Sequence, residues 1–129
     1  MANEIKKYLG IDWGTKRIGL ALGDSETKIS TPFKVVNDLM QVIKIIKEED
    51  IDEIIIGDPL SMGNNKGEMS NKVNNFIVDL ETEINIPIIK IDERLSSQGA
   101  DGLVGDKKTK ASRDAMAAML ILQTYLDKI

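Results

Sequence analysis

Three carboxylates in this chain stand where a carboxylate is useful to chemistry. Asp12 closes the apolar run "YLGIDW", Glu93 follows Asp92 at the end of "PIIKID", and Asp114 opens the stretch "DAMAAMLILQTYL". The chain contains no histidine and no cysteine, which removes the usual general base, the commonest zinc ligand, thiol nucleophiles and disulfides. What remains is carboxylates with a hard cation, a serine or lysine nucleophile, or backbone amides that hold a phosphate. Two carboxylates near 4 Å apart repel by roughly 4 kcal/mol at an effective dielectric of 20, so three together call for a counter-ion. Mg²⁺ or Mn²⁺ meets that need with oxygen ligands, and a pair of such ions about 4 Å apart activates water and stabilises the leaving oxygen of a phosphodiester. Each acid also has a plainer role: Asp12 bonding the amides of the Gly14 turn, Glu93 pairing with Arg94 or Lys90, and Asp114 favouring the positive end of a helix.

The cations are distributed to match. Lys16 and Arg17 follow Asp12 closely, and "DKKTKASR" brings Lys107, Lys108, Lys110 and Arg113 just ahead of Asp114. The net charge is −4, with much of the acid in "KEEDIDE", Lys47 to Glu53. An acidic total disfavours nucleic-acid binding in general, whereas a local basic strip permits it, and the same strip also reads as a solvated loop.

The elements that must position these groups follow from periodicity. Residues 5 to 24 predict two strands around a Gly14-Thr15 turn, and Lys34 to Val36 a third strand, with Pro32 marking its start or an edge. From an N-cap at Asn37, Leu39, Val42, Ile43 and Ile46 form a helical stripe that ends near Asp50. "IDEIIIGD" is a strand buried on both faces, "PLSMGNNKG" a loop, and Val73, Phe76, Ile77, Leu80 and Ile84 a second helix. Pro87 to Asp92 gives another buried strand, parallel to the previous one because a helix intervenes. A short helix is expected after Ser96, interrupted by Gly99, Gly102 and Gly105, and a last helix from about Ala111 to Tyr125. The whole is one α/β domain over residues 1–129 with a mixed sheet. Asp12 and Glu93 then fall at the carboxyl edge of the sheet, where open α/β sheets generally place ligands. Asp114 lies in the first turn of the last helix, on a face shared with Ala118, Leu122 and Tyr125.

The segments "GIDWGTKRIGLALGD", "IIIGDPLSMGNNKG", "IDERLSS" and "KASRDAMAAMLILQTYL" together resemble the YqgF/RuvX family over nearly the whole chain. The resemblance implies a ribonuclease H-like fold, a mixed five-stranded sheet flanked by helices, and a metal-dependent nuclease site on Asp12, Glu93 and Asp114. It implies Mg²⁺ or Mn²⁺ as cofactor and nucleic acid as partner. Two settings follow: 5′-end maturation of the small-subunit (16S) ribosomal RNA precursor, and resolution of four-way DNA junctions, which requires a homodimer. The family commonly reads Gly-Leu-Pro where this chain has Gly57-Asp58-Pro59, so Asp58 either adds a fourth ligand or caps the loop.

Two other classes compete. "DWGT" resembles the first phosphate loop of the actin and sugar-kinase group, but 129 residues lack a second such domain. A non-catalytic nucleic-acid-binding module is disfavoured by an aromatic content of 4%, which leaves few stacking platforms; Trp13 could stack or could belong to the core. The longest apolar run, Ala115 to Leu122, is too short to span a bilayer, and no signal segment opens the chain, so a cytoplasmic protein is expected.

Overall fold

Alternation of large apolar residues with small or polar ones gives the first two strands two different faces, and the fold uses both. The computed structural model describes residues 4–59, 66–93 and 110–129. In it β1 (Lys7–Trp13), β2 (Ile18–Asp24), β3 (Thr31–Val36), β4 (Glu53–Asp58) and β5 (Ile88–Asp92) form one sheet in the order β3-β2-β1-β4-β5. The β1/β2 and β2/β3 pairs are antiparallel, and β1/β4 and β4/β5 are parallel. The expected mixed five-stranded sheet is present.

On one face, Leu9, Ile11, Ile18, Leu20, Ile54 and Ile56 pack against α1 (Leu39–Glu48) and α2 (Lys66–Glu81). On the other, Tyr8, Ala21 and Ile55 pack against Ala118, Ile121, Leu122 and Leu126 of α3 (Lys110–Leu126). Ile54, Ile55 and Ile56 have no measurable exposure, as a strand covered on both faces requires.

Glycines decide how closely α3 approaches. A Cβ on Gly10 would lie 2.7 Å from Cβ of Leu122, and one on Gly19 would lie 2.0 Å from the backbone carbonyl oxygen of Asp114. The helix therefore rests on the sheet backbone itself, and only glycine leaves the room.

Several boundaries differ from expectation. The β1–β2 connection runs over residues 14–17 rather than two residues, and β3 begins at Thr31, with Pro32 paired to Ala21 across an irregular register on the edge strand. The N-cap of α1 is Asp38, not Asn37. Its carboxylate accepts from the Gln41 backbone N–H at 3.0 Å, while Gln41 Oε1 accepts from the Asn37 N–H at 2.6 Å, so both ends of the turn are satisfied one residue later. α2 ends at Glu81, and Ile84 packs on the core from beyond the helix, which the periodicity did not separate. The helix expected after Ser96 and most of the "PLSMGNNKG" loop lie outside the described residues.

Candidate active site

Strand parity sets which acids can meet. Tyr8, Gly10 and Asp12 point toward α3, as do Ile55 and Gly57 of β4 and Ile89 and Ile91 of β5. Continuing that alternation one residue past β5 brings Glu93 to the same side, and its carboxyl carbon lies 3.5 Å from where a Cβ on Gly57 would be. The Glu93 backbone N–H donates to the Asp58 carbonyl at 3.0 Å, which extends the parallel ladder and fixes the residue's direction. Gly19 is the register partner of Asp12 and also the point where the Asp114 backbone touches the sheet. The third acid is thereby brought beside the first.

The consequences are electrostatic. Asp12 shares a side-chain hydrogen bond with Glu93 and feels the charges of both Glu93 and Asp114. Burial first, then the Glu93 carboxylate, push its carboxyl up from 3.8 to about 9, with Asp114 adding to the rise. Asp12 thus retains its proton at neutral pH. Asp114 is neutralised differently: Arg17 Nε donates to its Oδ2 at 2.7 Å, and both side chains are partly exposed. A proton on Asp12 and the Arg17 guanidinium at Asp114 together reduce the repulsion among the three acids.

Among the described residues no three acidic side chains surround a common metal position. Asp114 turned to Arg17, and Asp12 bonded to Glu93, account for that. The donor chemistry nevertheless fits a hard divalent ion: two carboxylates already in contact, a third within electrostatic range, and a protonation state that a nearby cation would reverse.

The remaining expected residues divide. Lys16 is exposed beside the β1–β2 connection, and Arg113 is exposed one residue before Asp114. Arg17 is held by Asp114 rather than free to meet phosphate. Lys107 and Lys108 lie outside the described residues, as does the side chain of Lys110. Asp114 belongs to the second turn of α3, since the helix starts at Lys110 and has no acid in its first turn. That removes the helix-dipole explanation for this acid.

Asp58 does not join the cluster. It follows Ile54 and Ile56 onto the α2 face, where it is 5% exposed, accepts from Ser70 Oγ at 2.9 Å and lies 3.6 Å from Lys90 Nζ. Lys90 in turn donates to Asn74 at 2.9 Å. Asp58 ties α2 to β5 behind the site. Its sequence position at a strand end resembled that of Asp12, but one residue of parity separates the two faces. The Arg17–Asp114 pair, spanning 97 positions, had no local sequence signal.

The class of fold is now defined: a mixed five-stranded sheet, covered by helices on both faces, with acids gathered at its carboxyl edge. The profile of the family described as "RuvX: Holliday junction resolvase" matches residues 6–128, and the chain belongs to that family. A relative from Maridesulfovibrio salexigens, named as a candidate pre-16S rRNA nuclease, is 38% identical over 93% of this chain and 97% of its own length. One from Pelagibacter ubique with the same name is 36% identical over 94% of this chain and 87% of its own. Among solved structures, T. thermophilus RuvC in complex with a Holliday junction substrate superposes with a TM-score of 0.63 at 13% identity, covering 95% of this chain and 94% of that one. The yeast mitochondrial Holliday junction resolvase Ydc2 gives 0.60 at 11%, covering 94% and 78%. These two likenesses establish the ribonuclease H-like fold. Among the described residues no helix is long and apolar enough to cross a membrane.

Proposed function

We propose that this chain is a divalent-metal-dependent nuclease of the cytoplasm that hydrolyses phosphodiester bonds in 5′-end maturation of the small-subunit ribosomal RNA precursor. The observation that carries the reading is the meeting of Asp12 and Glu93 in one hydrogen bond, with Asp114 close enough to disturb Asp12, from three distant parts of the chain. Family membership and the names of the relatives support a nuclease and favour ribosomal RNA as substrate.

In this reading Asp12, Glu93 and Asp114 would hold Mg²⁺ or Mn²⁺, which when bound supplies an activated water and charge stabilisation for the leaving oxygen. As a ligand Asp12 would be ionised, giving up the proton that burial and Glu93 otherwise hold on it. With Asp114 serving as a ligand, Arg17, which otherwise donates to it, would be available to a substrate phosphate. Lys16, Lys107, Lys108, Lys110 and Arg113 neutralise the backbone on either side and set its register. No side-chain nucleophile takes part.

The test compares wild type with Asp12→Asn, in Mg²⁺ or Mn²⁺, on a precursor ribosomal RNA 5′ fragment and a four-way DNA junction of matched length. Metal-dependent cleavage of the RNA, lost in the variant, is expected. Cleavage of the junction alone transfers the assignment to a resolvase acting as a dimer. Equal cleavage by Asp12→Asn removes Asp12 from the site.

A further inference from the structure

The carboxylates occupy the α3 face of the sheet, but the next residue along, Trp13, turns to the opposite face. There it packs at the edge of the core, with its ring centroid 6.2 Å from that of Phe76 and tilted by 44°. Beside it opens a groove of about 370 Å³, lined by Trp13, Thr15, Lys72, Asn75, Phe76 and Asp79. Lys72, Asn75 and Asp79 follow one another at i, i+3 and i+7 of α2, so they share a helix face. All three are exposed, and none of their side chains bonds another protein group among the described residues.

A cation, an amide and a carboxylate with no side-chain partner among the described residues, arranged in a row beside an aromatic pair, form a polar set suited to a ligand. α2 connects two parallel strands and so runs antiparallel to them. Lys72 is therefore nearer the carboxyl edge that carries Asp12, and Asp79 lies farther along the groove. A phosphate at the Lys72 end and a base at the Asp79 end match that polarity. Asn75 and Asp79 offer hydrogen-bonding groups to a base edge, and Trp13 offers a ring to stack on.

We propose that this groove is a subsite for one unpaired nucleotide of the substrate strand, flanking the bond that is cut, with its base against Trp13 and its phosphate on Lys72. The inference rests on the nuclease reading above and assigns it a single-stranded flank. A paired base keeps its stacking partners within the duplex, so the subsite discriminates against duplex at that position.

Trp13 is the only tryptophan in the chain, so its emission reports the groove directly. Wild-type protein is titrated in EDTA with a dye-labelled single-stranded RNA pentamer, following anisotropy of the dye and emission of Trp13 in parallel. Saturable quenching with the same midpoint as the anisotropy change is expected, together with no quenching by a blunt duplex of the same sequence. Lys72→Ala, at an exposed helix position that leaves folding intact, weakens binding severalfold and reduces the salt slope by about one. Trp13→Leu, its fold verified by circular dichroism, weakens it by roughly 5- to 150-fold. Pentamer binding without any response of Trp13, and with unchanged affinity in Lys72→Ala, overturns the subsite alone. Failure to bind any single-stranded or branched nucleic acid, with or without Mn²⁺, overturns the nuclease reading and the subsite with it.

Discussion

Replacing Asp12 by Asn is expected to stabilise the metal-free protein while abolishing its activity. In the folded chain the Asp12 carboxyl is pushed up from 3.8 to about 9, first by burial and then by Glu93. Between those two values the folded state holds a proton that the unfolded chain has released, so stability falls as pH rises from about 4 to about 9 and levels off beyond. At pH 7 the gap above 3.8, at about 1.36 kcal/mol per unit, sets an upper limit of about 4 kcal/mol. Asn presents a neutral group of the same shape and removes this cost. Asp12 is only partly buried, and solvent screening brings the expected gain nearer 2 kcal/mol, roughly 6–10 °C in Tm for a domain of this size. Urea denaturation in EDTA at pH 5, 7 and 8.5 measures the difference between variant and wild type, which should widen with pH. Saturating Mn²⁺ should reverse the order, because only the wild type gains from an ion that its folded state binds. A difference that stays constant with pH, or a variant less stable than wild type at pH 8.5, would refute the account of a strained acid pair.

Three further substitutions probe the surroundings. Arg17→Gln removes the cation that holds Asp114, so Mn²⁺ affinity measured by calorimetry without nucleic acid should rise severalfold while nucleic-acid affinity falls; unchanged Mn²⁺ affinity means that the pair does not oppose the ion. Asp58→Leu removes the acceptor of Ser70 Oγ and leaves Lys90 with Asn74 alone, and should cost about 1–3 kcal/mol in denaturation, with Mn²⁺ affinity retained. Loss of Mn²⁺ binding in the folded variant would bring Asp58 into the acidic site. Gly19→Ala places a methyl against the Asp114 carbonyl, so α3 must lift; a loss of about 1–3 kcal/mol and a weakened Mn²⁺ response are expected, and wild-type behaviour in both would contradict the close approach.

Much of the fold could be read from periodicity because the core elements are strongly patterned. Three consecutive isoleucines in β4 and the stripe Leu39, Val42, Ile43 and Ile46 in α1 leave little choice of element. The acids at 12, 93 and 114 stand out for a related reason: each lies in or at the border of an apolar segment, where an unpartnered charge is costly, and the structure brings Asp12 and Glu93 into contact, with Asp114 nearby. What escaped was set by contacts between distant residues. Asp58 and Asp12 look alike at their strand ends, and only the pairing register assigns them to opposite faces. Arg17 reads as a phosphate contact from its neighbours, and only the docking of α3 delivers Asp114 to it. The groove beside Trp13 required α2 to be packed before its polar row could be seen to converge on the aromatic pair.

The glycine bed beneath α3 has a bearing on how the protein is made. The acid that completes the trio is carried by the last helix, docked on backbone laid down about a hundred residues earlier. During synthesis the five strands and both helices of the other layer emerge before Asp114 does. A nascent chain therefore carries Asp12 and Glu93 before Asp114 exists, and under the proposed assignment the three acids meet only once the final helix has left the tunnel and settled into its bed.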